Sequence, residues 1–77
     1  MFIILEIQTM ADGTVAVLTP IVKASRDEAE SAYHSILSFA AVSTIPMHAA
    51  VMMTNEGIEI ARQSYTHNQE VEENEST

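Results

Sequence analysis

Hydrophobic and polar positions alternate from the start of the chain. Over residues 2–9, Ile3, Leu5 and Ile7 fall on one face of a strand, and Phe2, Ile4, Glu6 and Gln8 on the other. A second run, residues 14–23, is rich in β-branched side chains and predicts a second strand. Pro20 cannot donate to a ladder, so this strand is expected at an edge, at least beyond Thr19. Between the two, Ala11-Asp12-Gly13 suits a type I turn followed by a left-handed glycine. That loop sets Ile7 opposite Val17, Leu5 opposite Thr19 and Ile3 opposite Ile21. Ile3, Leu5, Ile7, Val15, Val17 and Ile21 then share one side.

The period changes from two to 3.6 after Ser25. Ser25 with Glu28 three residues later reads as an N-cap and capping box, and Asp27 adds favourable charge to the first turn. Ala29, Ala32, Tyr33, Ile36, Leu37 and Ala40 follow the i, i+3, i+4 spacing of one buried stripe. Arg26, Glu30, Ser31, His34, Ser35 and Ser38 make the wet face. The helix is expected to end near Ala41, before Val42-Ser43-Thr44 and the breaker Pro46.

Residues 47–54 and 58–66 predict a second hairpin around Asn55-Glu56-Gly57, pairing Met52 with Ile60, Val51 with Ala61 and Ala50 with Arg62. His48, Ala50, Met52, Ile58 and Ile60 fall on one face. Ala49, Val51, Met53, Ala61 and Tyr65 fall on the other. From His67 the chain loses apolar content and gains Glu70, Glu72, Glu73 and Glu75, which predicts a disordered acidic tail over 67–77.

The order predicts an α+β fold: one ββαββ domain over residues 1–66, a four-stranded antiparallel sheet of two hairpins with one helix on one face. One helix covers one side of such a sheet. The expected bare side carries Phe2, Ile4, Leu18, Val22, Val51 and Met53, which makes these six the candidate oligomer interface. A two-fold homodimer is the simplest way to cover it.

Composition narrows the partners. Eleven acidic residues against three basic ones give a formal charge of −8, which argues against nucleic acid and against anionic membrane surfaces. It leaves room for an acidic mimic of nucleic acid that inhibits a host enzyme. Without cysteine there is no disulfide framework and no thiolate chemistry. The apolar start stops at Glu6, too short to span a membrane, so a cytoplasmic location is expected.

Two blocks carry a resemblance. Glu6-Ile7-Gln8-Thr9 with Ala11-Asp12-Gly13-Thr14 is one. Arg26-Asp27-Glu28-Ala29-Glu30-Ser31-Ala32-Tyr33-His34, followed by Ala40-Ala41-Val42-Ser43 and Pro46-Met47-His48-Ala49-Ala50-Val51, is the other. Together they resemble small uncharacterised proteins of Firmicutes and of their prophages and mobile elements. The resemblance implies a phage-related accessory role, in virion assembly or against a host protein, and brings no activity, cofactor or site residue.

Candidate chemistry is sparse. Glu30 and His34, four apart on the helix, are close enough to share a metal, with His48 as a third ligand; two uncertain ligands are too few for a closed zinc site, so no metal is expected. Ser31, Ser35, Ser38 and Ser43 near His34 lack an evident acid to orient the imidazole. Gly13 and Gly57 are used in turns, which leaves no phosphate loop. Met52 and Met53 divide between core and interface. The expectation is a noncatalytic interaction protein without cofactors that associates with itself through its sheet.

Overall fold

The turn chemistry is where it was expected. In the computed structural model, which describes residues 1–67, β1 (Phe2–Thr9) returns through Ala11-Asp12-Gly13 into β2 (Val15–Val17). The Gly13 N–H donates to Met10 O at 3.0 Å, the Met10 N–H to Thr14 O at 2.8 Å, and Gly13 takes φ +92°. Asp12 Oδ1 accepts the Thr14 N–H at 2.9 Å, which holds that carboxyl below its ordinary pKa. Ile7 faces Val17 as predicted.

Beyond Leu18 the register slips by one. The Leu18 N–H donates to Glu6 O at 2.9 Å, so an unbroken ladder would ask the residue opposite Ile4 to donate as well. That residue would be Pro20, which has no N–H. The chain instead spends both Thr19 and Pro20 opposite Leu5 and resumes as β3 (Ile21–Lys23), with Ile4 facing Ile21 and Ile3 facing Val22. One predicted strand is therefore two, and the antiparallel sheet has five strands rather than four.

The helix α1 (Arg26–Val42) begins at the predicted cap, with Ser25 Oγ accepting the Glu28 N–H at 3.2 Å. Its stripe is also the predicted one. Ala29, Tyr33, Ile36 and Ala40 are buried, and Ala32 and Leu37 are half-buried beside them. Seventeen residues at 1.5 Å each reach about 26 Å, the length of an eight-residue strand.

After the helix, β4 (Met47–Thr54) pairs along the whole of β1, and β5 (Glu59–Thr66) closes the far edge. The strand order is β2-β1-β4-β5, with β3 continuing the β2 edge. The second loop mirrors the first, with Gly57 at φ +87° and the Thr54 N–H on Ile58 O at 2.9 Å. A bulge at Ile60 then displaces the predicted pairing: Met53 faces Glu59, but Met52 faces Ala61 and Val51 faces Arg62. The predicted register would have set Arg62 opposite Ala50, against the helix. The bulge sends that guanidinium to the other side of the sheet, avoiding an unpaired buried charge.

These two bulges and the pairing of β1 with β4 decide the faces. Ile4, Ala50 and Met52 pack under α1 with Phe2, Ile21, Ile60 and Ala61 around them. The helix thus covers the even-numbered side of β1, the side expected to be bare. Phe2 and Ile4 belong to the core, and Leu18, opposite Glu6, shares their side. Of the six expected interface residues, Val22, Val51 and Met53 lie on the open face, beside Ile3, Leu5 and Ile7.

His67, expected to start the tail, is tied down: its N–H donates to Pro46 O at 2.7 Å. The rest of that expected tail, 68–77, lies outside the described residues.

Ile4 has 0% exposure, so Ile4→Ala is expected to cost about 2–5 kcal/mol, comparable with the whole stability of a domain this small. Ser25→Ala, losing only the cap bond, is expected to cost about 1 kcal/mol and to leave the fold intact. Thermal unfolding followed by far-UV circular dichroism separates the two.

Candidate functional site

Glu6 is the one charge in an otherwise apolar stretch of β1, and on the helix side it needs a partner. It finds His48 on β4. The Nε2 of His48 lies 2.5 Å from Glu6 Oε2, and the amide of Gln8 donates to the same oxygen at 3.3 Å. Direct cross-strand pairs are Glu6 with Ala50 and Gln8 with His48, so the Glu6–His48 hydrogen bond runs diagonally across the ladder. Small Ala50 leaves room for it.

The other ring nitrogen of His48, Nδ1, stands 3.1 Å from Ser43 Oγ. Ser43 is the C-cap of α1, with its N–H on Ala40 O at 3.4 Å and its hydroxyl also accepting the Ile45 N–H at 3.3 Å. At the same end of the helix, His67 Nε2 meets Ala40 O at 2.7 Å, and its ring stacks on Tyr65 with centroids 6.5 Å apart. His48 is 3% exposed, the only buried polar side chain among the described residues. Glu6, His48 and Ser43 together clamp the helix end to the two central strands.

The order serine, histidine, carboxylate resembles a hydrolase relay only on paper. The serine sits at a helix C-terminus, where backbone carbonyls gather, whereas an oxyanion needs converging N–H groups. The ring that would take its proton is buried. The geometry does structural work.

The residues considered for a metal divide. Glu30 and His34 meet at 3.4 Å, and Glu30 also accepts from Arg26 Nε at 2.8 Å. The Arg26 bond, with a smaller share from His34, holds the Glu30 carboxyl below its usual range. His48 is turned to Glu6 and Ser43 and does not join them. Among the described residues no group of three metal-ligating side chains converges.

The open side of the sheet is different in kind. Ile3, Leu5 and Ile7 of β1 run between Val17 and Val22 at one flank and Ala49, Val51 and Met53 of β4 at the other. Val17 and Val22 are more than half exposed. Where Ala49 faces Ser64 and Val51 faces Arg62, a shallow depression of about 290 Å³ opens between β4 and β5. Among the described residues the charges on this side are Glu59 and Arg62, 3.5 Å apart and of opposite sign. On the outer surface of α1, Phe39 and Val42 are 70% and 79% exposed. No helix among the described residues is long and apolar enough to cross a membrane.

Compared with known proteins, the chain matches no family model, no curated protein and no solved structure.

The His48 clamp and the Glu30 pair differ in burial, and so in what they contribute. Glu6→Ala leaves a buried ring nitrogen without its partner and is expected to cost about 1–3 kcal/mol. Glu30→Ala, on the exposed helix surface, is expected to cost less. Urea unfolding of the two variants checks this, and equal losses would contradict the clamp.

Proposed function

We propose that this chain is a noncatalytic interaction protein that associates with itself through the open face of its sheet. The observation that carries it is electrostatic. The chain has a formal charge of −8, so two copies repel over most of their surfaces. The open face is the exception: apolar on β1, β2, β3 and β4, with one anion and one cation cancelling on β5. A second copy is the partner to which an uncharged face on an acidic molecule is best matched, because the same patch serves both sides of a two-fold contact.

Area supports the same reading. Four strands abreast and eight residues long span roughly 19 by 26 Å, or about 500 Å² in projection. That is the size of the largest apolar patch on a monomer, which is often a functional surface. Two such faces stack at about 10 Å, as in a β-sandwich. The depression between Ala49 and Ser64 gives the contact relief for a side chain of the other copy.

The acidic groups offer no comparable support for a nucleic-acid mimic. Asp12 and Glu56 sit in turns, Asp27, Glu28 and Glu30 in the start of the helix, and Glu6 is spent on His48. In this reading the chain is a cytoplasmic accessory protein of phage or mobile-element type, in keeping with the resemblance of its sequence.

Val51 lies on the open face and half-exposed, so Val51→Glu places a carboxylate in the contact without entering the core. Light scattering at micromolar concentration is expected to give a mass above one chain for the native protein and a lower one for the variant. A native protein that stays monomeric would overturn the reading.

A further inference from the structure

The two edges of the sheet are not equivalent. At the β2–β3 edge, backbone groups face outward at Val15, Val17 and Val22, but Thr19 and Pro20 break the row between them. The opposite edge, β5, has no proline or glycine and pairs without irregularity from Ala61 to Thr66. Its hydrogen bonding can be counted from one end. The His67 N–H donates to Pro46 O, so in the alternation of an antiparallel ladder Tyr65, Gln63 and Ala61 bond to β4. Thr66, Ser64 and Arg62 therefore point both N–H and C=O away from the sheet. They form an unbroken, outward-facing row.

We infer that β5 pairs antiparallel with β5 of a second copy, making one continuous ten-stranded sheet. A two-fold axis normal to the sheet keeps the helices on one side and the apolar faces on the other. With the axis beside Ser64, Ser64 lies opposite its own copy, Arg62 opposite Thr66 of the second copy and Gln63 opposite Tyr65. Every directly opposed pair that bonds is then drawn from the outward row, and no like charges face each other. A register centred on Arg62 would set two guanidinium groups together and is disfavoured.

This pairing also changes what the open face can do. One face of about 500 Å² falls short of the roughly 800 Å² per partner of a standard interface. Two faces joined across β5 offer about 1,000 Å² without a charged seam, since Arg62 and Glu59 are already paired. Two joined pairs then stack into a tetramer with dihedral symmetry. The stacking rests on the self-association proposed above; the edge pairing stands on the backbone groups alone.

Ser64→Pro tests the edge. The Ser64 N–H has no partner among the described residues, so proline is tolerated there in the folded protomer while it blocks the new ladder. Native mass spectrometry is expected to give four chains for the native protein and two for Ser64→Pro. Val51→Glu is expected to give two, held by the edge, and the double variant one. A mass unchanged by Ser64→Pro overturns the edge pairing. A native protein of two chains that Ser64→Pro reduces to one, with Val51→Glu still at two, upholds the edge and removes the stacked face. Should Ser64→Pro fail to fold, amide hydrogen exchange of the native chain decides. The Arg62, Ser64 and Thr66 amides are expected to exchange at least ten-fold more slowly than those of Val15, Val17 and Val22 on the other edge. Equal rates overturn the pairing.

Discussion

The stripe Ala29, Tyr33 and Ile36 lies against Ile4, Ala50 and Met52, and the rest of the molecule is arranged around that contact. Two of its members, Ala29 on the helix and Ala50 on β4, are alanines, so the helix backbone comes close to the central strands and a small domain gains a dry core. Seventeen residues suffice to cover one side of a sheet with strands eight residues long, and among the described residues there is no second helix to cover the other. The apolar character of Ile3, Leu5 and Ile7 follows from that arithmetic as a property of a surface, not of a core.

The clamp at the end of the helix serves the same contact. The even side of β1 becomes polar at Glu6 and Gln8, and burying it under a helix would be costly without a partner. His48 supplies one to Glu6, and Ser43 holds the second ring nitrogen. A hydrogen-bonded set so enclosed fixes the helix angle and the strand register together, because each member comes from a different element.

What could be read from the sequence was local. The Ser25 cap, the buried stripe, both left-handed glycines and the pairing of Ile7 with Val17 depend on residues near each other in the chain. The choice of covered face did not yield to the same reasoning, because both sides of β1 are apolar near its start. That choice depends on the hand of the crossover from β3 through α1 to β4, parallel strands on either side of β1, and an alternation pattern has no hand. Each bulge then reverses the sides of whatever follows it, so a one-residue error at Pro20 or Ile60 moves Val22 or Arg62 across the sheet. The missing N–H of Pro20 was a legible signal for the first. For the clamp, a single Glu among Phe2, Ile3, Ile4, Leu5 and Ile7 was the signal, but its partner is 42 residues away and emerges only with the pairing of β1 and β4.

The break at Thr19 and Pro20 has one more consequence, which concerns growth. A sheet with two clean edges recruits copies on both sides, and each addition exposes another edge, so assembly runs on into fibres. A sheet with one clean edge is a chain stopper: after a single addition both outer borders are interrupted ones. The proline that disturbs one strand thereby sets a finite size for anything built by edge addition.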